Sequence, residues 1–206
     1  MNALRFAWLA LAALGCGGGH ATEPRTDVAP TAAPGASAYA PFRSPAYEAP
    51  SEDAIRVIVR EISDNPPQGA PEPGLELRFE RTPCLGNCPV YSLVARGDGT
   101  VAYHGEIFVG VRGDVRYTRS PAALVALADE LVKGDYFGAE GPPGCQGAVT
   151  DQPSVKISLT RNGRTQSRSH YHGGSCLPGE LRALEDRVDD VLRTAALVRC
   201  APQCLR

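Results

Sequence analysis

Residues 155–171 read Val-Lys-Ile-Ser-Leu-Thr-Arg-Asn-Gly-Arg-Thr-Gln-Ser-Arg-Ser-His-Tyr, and this stretch decides the fold class. Val155, Ile157 and Leu159 alternate with Lys156, Ser158 and Thr160. That period of two belongs to a strand with one dry face. Asn162-Gly163 then offers two residues suited to positive φ, the demand of a tight type I′ turn. Thr165 to Tyr171 returns as the second strand. A half-buried hairpin needs an apolar layer against its dry face. The flanking sequence supplies one.

Upstream, Leu75, Leu77 and Phe79 alternate with Glu76, Arg78 and Glu80. Val90–Ala95 and Val101–Ile107 follow as strands joined at Gly97-Asp98-Gly99, and Val115–Thr118 makes a fourth. Ser120-Pro121 reads as a helix start with a capping serine and proline at the first helical position. Leu124, Leu127, Ala128, Leu131 and Val132 then recur at helical spacing, with Gly134 to close. Downstream, Pro178 opens a second helix carrying Leu181, Leu184, Val188, Val191, Leu192 and Ala195 on one face and charges on the other. The expected order is β-β-β-β-α-β-β-α. This is an α+β fold, an antiparallel sheet built from hairpins with two amphipathic helices packed on one face.

The run Arg81-Thr82-Pro83-Cys84-Leu85-Gly86-Asn87-Cys88-Pro89-Val90-Tyr91 carries a likeness. A strand ending in Pro-Cys-x-Gly-x-Cys-Pro-x-Tyr, then a Gly-Asp-Gly turn and a Val-x-Tyr-x-Gly strand, resembles an uncharacterised family of bacterial envelope domains, domain of unknown function 6438. Asp135-Tyr136-Phe137, Thr150-Asp151-x-Pro153, Asn162-Gly163-Arg164 and Leu181-x-x-Leu184-Glu185-x-x-Val188-Asp189 fit the same pattern. The likeness runs from about Leu75 to Leu192. It implies architecture and brings no catalytic residues.

The N-terminus gives an address. Arg5 precedes an apolar run from Phe6 to Leu14, the layout of a signal peptide and too short to span a bilayer. The run ends Ala13-Leu14-Gly15-Cys16, which resembles the lipobox of bacterial lipoproteins, with Ala13 where leucine is commoner. Residues 1–15 are thus expected to be removed and Cys16 to be lipidated. Cleavage near Gly18 or Ala21, releasing a soluble protein, is the plainer alternative. Gly17 in place of Asp favours the outer membrane, facing the periplasm, by analogy with Gram-negative sorting. From residue 16 to 50 the chain is rich in Ala and Pro (Pro24, Pro30, Pro34, Pro41, Pro45, Pro50) and lacks apolar periodicity. That is the composition of a disordered, semi-extended tether. Tyr39, Phe42 and Tyr47 read as scattered linker aromatics rather than a docking motif. Residues 51–73 form a short satellite element and a Pro-rich linker. Ile55, Ile58 and Ile62 fit a helix there, whereas Ile55, Val57 and Val59 fit a strand. The globular domain covers 74–198 and a Cys-containing tail 199–206.

Seven cysteines is an odd number. With Cys16 acylated, Cys84, Cys88, Cys145, Cys176, Cys200 and Cys204 remain, enough for three bridges in an exported chain. A turn through Gly86 brings Cys84 and Cys88 within bridging range. Cys145 and Cys176 flank the last hairpin at one end of the sheet, which leaves Cys200 with Cys204. This is one of fifteen connectivities.

Candidate chemistry is sparse. Net charge is −2 with no basic stripe, so nucleic acid is not an expected partner. Cys84/Cys88 could serve thiol–disulfide exchange, but the spacing is not C-x-x-C and the motif joins two strands, so a structural staple is the default. His170 and His172 share one strand face. With His104, Cys176 or Asp151 they form a weak metal candidate, against a default of satisfied surface polar residues. Asp151, Tyr171 and His170 are an imaginable acid–base set. Asp151 ahead of Pro153 reads more simply as an Asx turn. No Gly-x-Ser-x-Gly, His-Glu-x-x-His or phosphate-cradling loop occurs. The sequence thus reads as a lipid-anchored envelope domain, non-catalytic, without cofactor, and binding or bracing an envelope partner.

Overall fold

A computed structural model describes residues 47–138, 149–174 and 179–198. The leader, Cys16, most of the tether, Cys145, Cys176, Pro178, Cys200 and Cys204 lie outside the described residues. All described residues belong to one compact unit, Ala46–Arg206. The elements in chain order are α1 (Glu52–Ile62), β1 (Glu76–Arg81), β2 (Val90–Arg96), β3 (Thr100–Ile107), β4 (Gly113–Thr118), α2 (Pro121–Lys133), β5 (Ser154–Arg161), β6 (Arg164–Tyr171), α3 (Gly179–Leu192) and α4 (Ala195–Val198). The fold is α+β. The strands form one six-stranded antiparallel sheet in the order β4-β3-β2-β1-β5-β6.

Register makes the sheet legible as three rows facing the helices. The first row is Tyr117, Val101, Ala95, Leu77, Leu159 and Gln166, and the second is Val115, Tyr103, Leu93, Phe79, Ile157 and Arg168. The third is Gly113, Gly105, Tyr91, Arg81, Val155 and His170. The central residues of the first two rows are apolar and buried with Leu124, Leu127, Leu131, Leu181, Val188 and Leu192 from α2 and α3. Such side chains each contribute about 1.5–3 kcal/mol on burial. The third row turns polar at Tyr91, Arg81 and His170, and this positions the site described below. The opposite sheet face is polar. There Glu80 stands opposite Lys156 as an ion pair across neighbouring strands, and His104 Nδ1 lies 2.7 Å from Asp114 Oδ1 opposite it.

Local chemistry explains the turns. Asn162 and Gly163 both take positive φ (53° and 71°), as a type I′ hairpin requires. Gly105 has no alternative residue, because a Cβ there would collide with the Val111 carbonyl and the Tyr103 hydroxyl. Helix α2 ends in a Schellman motif. Tyr136 N–H donates to Leu131 O and Asp135 N–H to Val132 O, with Asp135, not glycine, in the left-handed conformation. This turn swings Tyr136 into the core.

Several expectations change. Residues 52–62 are helical. Ser51 caps them by accepting the Ala54 N–H, and Ile55, Ile58, Val59 and Ile62 pack into the common core. Of the two periods the sequence left open the helical one holds, because these four share one stripe and pack together. Ser120 does not cap α2 through its side chain; its Oγ accepts from Gln68 N–H instead. Helix α3 stops at Leu192, since Arg193 adopts φ 53°, so Ala195 begins a separate turn. Tyr47, at the end of the expected tether, lies under the Arg112 guanidinium, 3.9 Å from the ring centroid, and its hydroxyl accepts Arg112 N–H.

Arg119, 6 % exposed, anchors α1 to the sheet edge. It donates to Ile62 O, Val191 O and Asp64 Oδ1. Burial raises the Asp64 carboxyl, but the Ser120 N–H and the Arg119 charge outweigh it and hold the group below its ordinary value. A depressed folded pKa adds stability above the unfolded value of about 3.9 and loses it as pH falls through the folded value. Urea unfolding of Asp64→Asn is therefore expected to show a shallower acid loss than the unchanged chain below about pH 4. Identical slopes would contradict this role.

Candidate functional site

Two carboxylates one turn apart on α3, Glu185 and Asp189, face the polar row of the sheet. Glu185 follows Leu181 by four residues and precedes Val188 by three, so the helix places it on the apolar stripe. It is buried together with Leu181, Val188 and Leu192. Its carboxylate meets three side chains. Tyr136 hydroxyl donates to Oε1 at 2.9 Å, His170 Nδ1 lies 2.5 Å from Oε1, and His172 Nε2 lies 2.6 Å from Oε2. The Glu185 and His170 side chains are 1 % and 2 % exposed, and His172 is 16 % exposed. The two rings sit edge to face with centroids 5.3 Å apart. Burial first, then the Glu185 charge, pushes the Tyr136 hydroxyl well above its ordinary value, so it remains a donor. Among the described residues His170 Nε2 has no hydrogen-bond partner, a defect that costs roughly 1–3 kcal/mol.

Asp189 reaches the neighbouring strands. Arg81 Nη2 and Nε donate to Oδ2 at 2.5 and 3.0 Å, and Tyr91 hydroxyl donates to Oδ1 at 2.6 Å. Thr194, just past the helix, donates to Oδ1 at 2.5 Å. Burial pulls the Arg81 guanidinium down, but the Asp189 charge and hydrogen bond overcome it and hold the group above its usual value. Burial, reinforced by Asp189, also holds the Tyr91 hydroxyl protonated. The row is thus answered carboxylate by carboxylate.

The sequence candidates fall into separate places. Cys84 and Cys88 are disulfide-bonded in the loop between β1 and β2, with Cα atoms 5.7 Å apart. Leu85 at the loop tip is 82 % exposed. Among the described residues neither cysteine stands at the start of a helix, the placement that lowers a thiol pKa in C-x-x-C redox sites. The Asp151 backbone clasps this loop, accepting Leu85 N–H at 2.9 Å, while Thr82 and Ser154 exchange hydrogen bonds. The segments around Pro83–Tyr91 and Asp151–Pro153 therefore form one end of the sheet. The Asx turn at Asp151 does not form, because Pro153 has no N–H to donate. Asp151 instead takes φ 67°, and its carboxylate accepts the Thr150 hydroxyl. Tyr171 points away from His170 and bonds Val149 O and Gln152 N–H, so the imagined acid–base set is not assembled. His104 lies on the opposite face with Asp114. His170, expected at the surface, is buried.

Removing the bridge by Cys84→Ser with Cys88→Ser is expected to lower stability by about 2 kcal/mol, the chain-entropy value for so short a loop. Urea unfolding of oxidised and variant protein measures this. An unchanged midpoint would remove the staple role.

The sequence missed Glu185 as a site residue because its charge was assigned to the solvent face. Its place in the Leu181–Val188–Leu192 stripe was the available signal. Together, fold and buried polar row define an α+β domain, an open six-stranded antiparallel sheet covered on one face by helices. The family described as a domain of unknown function (DUF6438) matches residues 75–192, and the chain belongs to it. Comparison with curated proteins returned no match.

Proposed function

We propose that this chain is an exported bacterial lipoprotein, held through Cys16 at the outer membrane facing the periplasm, whose domain binds or braces another envelope protein without catalysing a reaction. The observation that carries this reading is the Cys84–Cys88 disulfide. Disulfides persist in oxidising compartments, and the chain opens with an export-type segment ending at Cys16. Residues 16–50 then serve as the spacer. Among the described residues no helix is long and apolar enough to cross a membrane, so in this reading attachment is through lipid. Two or three acyl chains hold where one does not.

The non-catalytic part of the reading draws support from the buried row, where Arg81, Tyr91 and Asp189 satisfy one another beneath α3. Cys145 pairs with Cys176 in this account, and the Val149 N–H to Gly173 O hydrogen bond of 2.8 Å between their flanks supports that pairing. The test is fractionation of cells expressing Cys16→Ser. The variant is expected to leave the membrane fraction and appear in soluble form. Retention at the membrane would overturn the anchor.

A further inference from the structure

We propose that His170, His172 and Glu185 form a binding site for a divalent first-row transition metal such as Zn²⁺, between the end of β6 and α3. Among the described residues this is the group of His, Cys, Asp or Glu side chains whose ligand atoms converge, all lying within 4.8 Å of one another. Two imidazole nitrogens and a carboxylate suit Zn²⁺, Cu²⁺ and their neighbours and do not suit Mg²⁺ or Ca²⁺, which require mostly oxygen ligands.

The construction is specific to this chain's fold. His170 and His172 lie two residues apart and so project to the same side of the sheet. Glu185 comes from the facing helix, and Tyr136 fixes its carboxylate through Oε1 at 2.9 Å. A hydrogen-bonded carboxylate is the usual support of a metal site. The His170 ring is buried with Nδ1 against Glu185 Oε1, and in the tautomer that carries its proton on Nε2 this Nδ1 has a lone pair to give an ion held between the two. The donor pairs stand 2.5 and 2.6 Å apart, at hydrogen-bond distance. A tetrahedral ion with bonds of about 2.0 Å needs donors about 3.3 Å apart, so binding exchanges two hydrogen bonds for metal bonds as each His–Glu donor pair opens by under about 1 Å. His172, 16 % exposed, marks the entry path.

The test uses the full-length protein with its disulfides intact, stripped with a chelator and titrated with Zn²⁺ alone by calorimetry. One equivalent is expected to bind, with a rise in melting temperature. Co²⁺ in its place is expected to give the visible d–d bands of a four-coordinate nitrogen–oxygen site. His172→Gln is expected to weaken binding at least about tenfold and abolish those bands while leaving the far-ultraviolet circular dichroism unchanged. His104→Gln, on the other face, is expected to change neither. Glu185→Gln is a weaker probe because its carboxylate also holds the core together. The absence of saturable stoichiometric binding, or equal affinity in the unchanged chain and His172→Gln, would overturn the site.

Discussion

Glu185→Ala is expected to be the most destabilising single change in the domain, lowering the unfolding free energy by about 3–5 kcal/mol. Three groups lose their partner at once: the Tyr136 hydroxyl, His170 Nδ1 and His172 Nε2. Two of these belong to side chains that water does not reach, Tyr136 and His170. A buried polar group left unpaired costs roughly 1–3 kcal/mol, and the truncated side chain adds a cavity beside Val188 and Leu181. Glu185→Gln keeps the volume and one acceptor oxygen, so its loss is expected to be smaller. Urea unfolding of the three proteins gives the ordering directly. A loss under about 1 kcal/mol for the alanine variant would mean that water replaces the carboxylate, against the closed packing of α3 on β6.

Asp189→Ala comes second, at about 3 kcal/mol, the lower end of the range for breaking a buried pair because the carboxylate is 20 % exposed. The change strands a guanidinium whose remaining contacts are the Tyr91 hydroxyl, the Phe79 ring face and Asp186 at 3.8 Å. The reciprocal Arg81→Ala leaves Asp189 with two hydroxyl donors, Tyr91 and Thr194, and is expected to cost less. Asymmetry in that direction, with a coupling of at least about 1 kcal/mol in the double-mutant cycle, would show that the pair acts as one unit. Equal and additive losses would contradict this.

How much of this was readable from residues alone differs by element. Alternation at Leu77/Phe79 and Val155/Ile157/Leu159, with Asn162-Gly163 between strands, carried the hairpins, because period and turn chemistry are local. The two main helices followed from apolar spacing. Helix α1 was not decidable, since Ile55, Val57, Ile58, Val59 and Ile62 satisfy either period, and only packing against the core settles it. The polar row was hidden for a different reason. Tyr91 and Asp189 are 98 residues apart, and Arg81 and Asp189 are 108 apart. Register alone brings them together. His170 looked exposed because its neighbours Ser169 and Tyr171 are polar or amphipathic, and its burial depends on a helix residue that sequence pattern assigned to solvent.

The central claim is that the mature chain begins at a lipidated Cys16 and carries its domain on a spacer. Mass spectrometry of the N-terminal peptide from protein isolated from membranes tests it most directly. The account predicts a peptide starting at Cys16 with the mass of a diacylglyceryl thioether, further acylated or not at its amino group. An unmodified N-terminus beginning downstream, near Gly18 or Ala21, or a retained Met1, would contradict it.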